Sequence, residues 1–248
     1  MTITRRALIQ GSTAFALSAM LPVRAAADGH GTSLTADQAL AQLIEGNRKF
    51  IAGGVPAPLD PAHRGKLVAG QEPFATIVCC SDSRVPPELI FDTGFGELFV
   101  VRNAGNTVAA VQSLGSIEYS VANLKVPLII VLGHSDCGAV KAATGIVQNN
   151  ARYPGSIGPM VEPILPAALA VRDQPGSPLD NGIAENVHRV TARLRSAEQP
   201  ILYPPQHAGR LKIWGAVYDI DTGRVRLIDP PTDIVVPATA VTGAMTQH

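Results

Sequence analysis

Residues 127–138, Pro127-Leu128-Ile129-Ile130-Val131-Leu132-Gly133-His134-Ser135-Asp136-Cys137-Gly138, join a continuous apolar run to a turn carrying an imidazole and a thiol. The run is short, rich in β-branched residues and without polar alternation, which is the pattern of a strand buried on both faces of a parallel sheet. Residues 74–79 and 98–101 have the same character. Parallel neighbours need crossovers. Residues 108–124 supply one, with Val111, Leu114, Ile117, Val121 and Leu124 at helical spacing, and residues 139–147 begin another.

Working outward, Thr35 caps an amphipathic opening helix that runs to about Ala52 and stops at Gly53-Gly54. Residues 55–61 hold three prolines and read as an extended connection. Residues 149–180 are Pro-rich, with one short helix expected over 160–171 despite Pro163 and Pro166, and a stronger helix follows over 185–197. Residues 211–219 and 224–228 flank Asp221-Thr222-Gly223, a hairpin signal that places an antiparallel strand at the edge. The expected fold is α/β: a mostly parallel central β-sheet flanked by helices, with an antiparallel C-terminal edge strand, in a single domain over residues 28–248.

Composition agrees with a packed core and excludes some partners. Of 248 residues 46% are hydrophobic, while 20 basic residues balance 20 acidic ones, so neither a nucleic-acid footprint nor an acidic tail is present. Gly and Pro, 23 and 20 residues, remain below the roughly 25–30% of low-complexity chains.

Residues 1–27 read as an export signal rather than as part of the fold. Arg5 and Arg6 form a basic start, a weakly apolar run follows, and Ala25, Ala26 and Ala27 offer a small-residue cleavage site. The run carries Gln10, Gly11, Ser12, Thr13 and Ser18, too polar for a membrane anchor of about 20 apolar residues. Thr4-Arg5-Arg6-Ala7-Leu8-Ile9 resembles a twin-arginine signal, which implies export of a folded chain to the periplasm. Cleavage after Ala27 removes Arg5, Arg6 and Arg24 and no acid, so the mature chain is net acidic.

The candidate chemistry lies at strand ends, where ligands gather in open α/β sheets. Cys80 follows the first buried run, His134 the third, and Cys137 comes three residues later. Two thiols and one imidazole form a soft N/S set suited to Zn²⁺, and three ligands leave a coordination position for catalysis. On spacing alone they could equally be a buried thiol, a satisfied histidine and a redox-sensitive thiol that never meet. Cys79 points to the opposite face from Cys80 and reads as a core residue. His30, His63, His188, His207 and His248 fit no ligand spacing.

The neighbours of these residues narrow the choice. Cys80-Ser81-Asp82-Ser83-Arg84 followed by His134-Ser135-Asp136-Cys137 resembles the β-class carbonic anhydrases. Arg102-Asn103-Ala104-Gly105-Asn106, Gly115-Ser116-Ile117-Glu118-Tyr119, Glu185-Asn186-Val187 and Gly215-Ala216-Val217-Tyr218-Asp219 extend the likeness from about residue 34 to residue 228. The resemblance implies one Zn²⁺ per subunit on Cys80, His134 and Cys137, and an Asp82–Arg84 catalytic dyad. It also implies reversible hydration of carbon dioxide to bicarbonate by zinc-bound hydroxide, and a homodimer or a multiple of dimers. Thr93 stands near the position where many relatives carry a substrate-binding glutamine, and Tyr203-Pro204-Pro205 interrupts a stretch commonly helical in them. Carbon disulfide or carbonyl sulfide hydrolysis, or a non-catalytic zinc-binding scaffold, are the alternatives on the same fold.

Twin-arginine export would let zinc load in the reducing cytoplasm, before an oxidising compartment can trap the thiols as disulfides. Rerouting the chain through an unfolded-chain export pathway is therefore expected to lower zinc per exported molecule. Equal metal content by either route contradicts this.

Overall fold

Strands that are apolar on both faces must be covered on both, and the computed structural model, which describes residues 31–54 and 61–231, meets that demand with helices on each side of one sheet. The strands are β1 (Ala75–Cys79), β2 (Leu98–Arg102), β3 (Leu128–His134), β4 (Lys212–Tyr218) and β5 (Val225–Asp229). Their order is β2-β1-β3-β4-β5, with every pairing parallel except β4 with β5. The helices are α1 (Ala36–Ile51), α2 (Pro61–Leu67), α3 (Pro87–Ile90), α4 (Val111–Ala122), α5 (Gly138–Asn149), α6 (Ile157–Val161), α7 (Leu165–Ala170), α8 (Pro178–Arg195) and α9 (Tyr203–His207).

Alternation along β3 divides the core. Leu128, Ile130 and Leu132 pack with Ala39 and Leu43 of α1, whereas Ile129 and Val131 pack with Ile117 of α4 and Val187 and Val190 of α8. Thr35 forms the expected cap: its hydroxyl accepts from Gln38 N, and Gln38 Oε1 accepts from Thr35 N at 2.8 Å. Asn47 then ties α1 to the hairpin, donating to Gly223 O at 2.8 Å and accepting from Val225 N at 2.9 Å.

Several boundaries differ from the sequence reading for identifiable reasons. The helix expected over 108–124 starts at Val111, because Asn103 holds Thr107 extended by accepting from its N–H and donating to its carbonyl. The helix expected over 160–171 divides into α6, a 3₁₀ turn (Glu162–Ile164) and α7, since Pro163 and Pro166 lack the N–H groups a continuous ladder requires. Helix α8 begins seven residues before the expected Glu185, capped by Ser177 with Pro178 in its first turn. Tyr203-Pro204-Pro205 opens α9, and α2 and α3 also begin on prolines, where a missing N–H costs nothing. His134, expected just beyond its strand, is the last residue of β3 and pairs with Tyr218. The signal expected at 1–27, the prolines at 56 and 58, and the tail beyond 231 lie outside the described residues. Among the described residues, no helix is long and apolar enough to cross a membrane.

Two glycines let α8 approach the sheet. A methyl at Gly133 would lie 2.7 Å from Val187 Cγ2, and one at Gly215 would lie 2.8 Å from Val187 Cγ1. Gly133→Ala is expected to destabilise the chain by about 1–3 kcal/mol through overpacking. Val187→Ala in the same chain should restore part of that loss, because the two sites share one contact. Urea midpoints of the two variants check this, and an unchanged midpoint in Gly133→Ala contradicts it.

Candidate metal centre

β1 and β3 are adjacent and parallel, with Cys79 opposite Leu132, so the chain segments leaving them emerge side by side. Cys80 is the first residue beyond β1. His134 ends β3, and a turn with Asp136 at φ +54° delivers Cys137 to the N-cap of α5. Asp tolerates that left-handed backbone better than most residues. Ser135 anchors the turn, donating its N–H to Tyr218 O and accepting from Ile220 N on its hydroxyl, both at 2.9 Å.

The three expected ligands meet. Cys80, His134 and Cys137 are buried, their ligand atoms lie within 4.8 Å of one another, and the two sulfurs are 4.0 Å apart. His134 Nδ1 lies 2.9 Å from the Ser135 carbonyl and donates to it, while Nε2 is buried with no hydrogen-bond partner. A buried imidazole nitrogen without a partner, next to two thiols, fits a metal ion with soft ligands. The Cys80 thiol is shifted down by its hydrogen bond to Cys137, helped by the Gly105 N–H at 3.3 Å. Cys137 is shifted up by its contact with Cys80 and by burial, opposed by the Val140 and Ala139 N–H groups. Cys79 joins the α1 side of the core instead, its thiol pushed up to about 12 by burial. The strand alternation expected of Cys79 and Cys80 is thus met.

Asp82 and Arg84 form a bidentate pair beside the cluster. Arg84 Nε donates to Asp82 Oδ1 at 2.9 Å, Nη2 to Oδ2 at 2.8 Å, and the Arg84 backbone N–H to Oδ1 at 2.9 Å. The Arg84 side chain holds the Asp82 carboxyl well below the usual carboxylate range. Arg84 also reaches Asp136, through its carboxylate at 3.4 Å and its carbonyl at 3.3 Å. Arg102, for which the sequence suggested no separate role, secures the backbone beneath by donating to the carbonyls of Cys80 at 2.9 Å and Asp82 at 2.7 Å.

A sequence profile of the carbonic anhydrase family matches residues 75–225. Carbonic anhydrase 2 of Mycobacterium tuberculosis is 42% identical over 188 residues, covering 75% of this chain and 90% of its own. The chain belongs to the β-class carbonic anhydrases. The carbonic anhydrase of Synechococcus elongatus is 36% identical over 198 residues, spanning 74% of this chain and 70% of its own. Among solved structures, the β-carbonic anhydrase CcaA superposes with a TM-score of 0.60 at 30% identity, covering 79% of this chain and 93% of that one. A tetrameric β-carbonic anhydrase from Sordaria macrospora gives 0.62 at 27% identity, over 68% and 87% respectively. This is a family of enzymes that hydrate carbon dioxide and depend in general on zinc.

The other singled-out residues of this carbonic anhydrase lie apart from the cluster. Thr93 is buried, its hydroxyl donating to Glu88 O at 3.4 Å and its N–H to the same carbonyl at 2.9 Å, a link that closes the turn after α3. His188 pairs with Asp229 and His207 stacks on Tyr203. His63 falls in α2, its side chain outside what is described, and His30 and His248 lie outside the described residues. Gly105, at φ +74°, and Asn186 were legible as parts of motifs but not as contributors to the site.

Cys80→Ser, His134→Ala and Cys137→Ser are each expected to drop zinc well below one per chain, whereas Cys79→Ala should retain it. Metal analysis of the purified variants decides, and loss of zinc in Cys79→Ala contradicts the assignment.

Proposed function

We propose that this chain binds one Zn²⁺ through Cys80, His134 and Cys137 and hydrates carbon dioxide reversibly to bicarbonate and a proton, with Asp82 and Arg84 ordering the reacting groups. The observation that carries this reading is the partnerless, buried His134 Nε2 beside two thiols, at the same end of the sheet as a bidentate carboxylate–guanidinium pair. When bound, the ion supplies Lewis acidity that lowers the pKa of water. Two thiolates and a neutral imidazole balance its double charge, and the Ser135 carbonyl keeps the imidazole proton on Nδ1.

Asp82 orients rather than abstracts. Its carboxylate stays ionised at neutral pH, so it accepts a hydrogen bond from the attacking water without removing the proton. Oδ1 already accepts from two Arg84 donors, whereas Oδ2 accepts from one. Oδ2 is therefore the oxygen with acceptor capacity for the substrate water. Arg84 fixes the plane of the carboxylate through two parallel bonds, and Asp136 fixes Arg84 in turn.

Two further parts of the reading concern context. Arg5 and Arg6 with the following apolar run support export of the folded chain to the periplasm by the twin-arginine route, leaving residues 28–248 as the mature enzyme. Assembly as a homodimer or a multiple of dimers is supported by the tetrameric relative.

Asp82→Asn is expected to lower kcat/KM for carbon dioxide hydration about 100-fold or more while zinc stays at one per chain. Stopped-flow hydration assays and metal analysis on one preparation check both. Undiminished turnover with intact zinc reduces the pair to a structural ion pair.

A further inference from the structure

Cys80 carries one backbone hydrogen bond from a distant segment. Gly105 N donates to its sulfur at 3.3 Å, from a 3₁₀ turn (Ala104–Asn106) that follows β2. That N–H is aimed only if the Gly105 peptide keeps its left-handed conformation, φ +74°. The turn is packed closely: a methyl at Gly105 would overlap Ile164 and lie 3.1 Å from Ala139 Cβ. The Gly105 carbonyl is held from the other side, where Asn186 Nδ2 of α8 donates to it at 2.9 Å, in a bond that is fully buried.

We propose that Asn186 is a positioning residue for the metal centre: by bonding the Gly105 carbonyl it holds the Gly105 N–H on Cys80 Sγ and thereby sets metal affinity and the donor strength of that sulfur. The inference rests on the reading of Cys80, His134 and Cys137 as zinc ligands. Its physical basis is geometric: the Gly105 N–H points at Cys80 Sγ, and the carbonyl on the other side of the same Cα is fixed by a buried amide. The N–H···S bond draws charge from the sulfur. Asn suits the task because its amide offers N–H donors to a carbonyl without bringing a charge into a dry interior. Released from Asn186, the Gly105 carbonyl is left unpaired in the core, and the glycine gains by changing ψ to turn that carbonyl towards another partner; the two peptide planes meet at the Gly105 Cα, so this shift also draws the N–H of the preceding peptide off Cys80.

The test uses the full chain with Asn186→Leu, of similar volume and without a donor. Zinc affinity is measured by competition with a chelator, and the sulfur-to-metal charge-transfer band is recorded with Co²⁺ in place of zinc. A roughly 10- to 100-fold weaker zinc affinity and a band moved to longer wavelength are expected, since a sulfur without its N–H bond is the stronger electron donor. If Asn186→Leu does not accumulate as folded protein, Asn186→Ala takes its place in both measurements. Val190→Ala, one turn further along α8 and buried in the core beside Val187, is the control for helix stability and should leave both readouts unchanged. Unchanged affinity and band in the Asn186 variant, or equal shifts in Val190→Ala, overturn the proposal. A wild-type chain that takes up no zinc refutes instead the ligand reading on which the proposal stands.

Discussion

Across the parallel ladder between β1 and β3, Cys79 faces Leu132, and from that one register the site follows. Parallel strands deliver their carboxyl ends to the same edge of a sheet, so Cys80 and His134 leave neighbouring strands together. The Asp136 turn needs only three residues to bring Cys137 alongside them. A slip of one residue in this pairing would turn Cys80 to the α1 face and Cys79 to the site, since successive strand side chains alternate. The continuous apolar packing of β3 against helices on both sides is what forbids the slip. Core packing and ligand geometry are therefore set by the same contacts.

Gathering two thiols and an imidazole in a buried pocket is unfavourable unless each polar atom is answered. The structure answers three of these atoms from backbone, with the Gly105 N–H on Cys80, the first turn of α5 against Cys137 and the Ser135 carbonyl on His134 Nδ1, and leaves His134 Nε2 without a partner. Guanidinium groups serve the loop beside it. Arg102 holds two of its carbonyls and Arg84 both oxygens of Asp82, so the loop that carries a ligand and a carboxylate is braced from below and from the side. A lysine could supply the charge at either position but not the paired, planar set of donors.

The sheet was legible because fully buried parallel strands leave an uninterrupted apolar signature, and residues 74–79, 98–101 and 127–132 each became β1, β2 and β3 with shifts of one or two residues. Several of the differences come from proline. It was read as an interrupter around 55–61, 149–180 and 203–205, yet Pro61, Pro178 and Pro204 lie in first helical turns, where their fixed φ is an advantage. Pro163 and Pro166, by contrast, interrupt a helix that was expected to run on despite them. Cys80, His134 and Cys137 were legible as candidates because each lies within a few residues of a strand end, and the choice among their possible roles, like the Asp82–Arg84 pair, came from the resemblance of the surrounding motifs. The bond from Asn186 to Gly105 spans 81 positions and consists of a single amide-to-carbonyl contact. No spacing rule encodes such a contact.

Helix α8 joins these separate lines of reasoning. Val187 presses into the space left by Gly133 and Gly215 on neighbouring strands, while the residue before it reaches the Gly105 turn. Consecutive helical residues point about 100° apart, so one turn of α8 touches the sheet with one side chain and the metal-site turn with the next. A side chain at Gly133 or Gly215 would push α8 outward, and the Asn186 amide, carried on the same rigid turn, would move with it. The two glycines thus govern more than the fit of a helix on a sheet. They set the depth at which α8 lies, and that depth places a hydrogen-bond donor behind the turn that bonds Cys80.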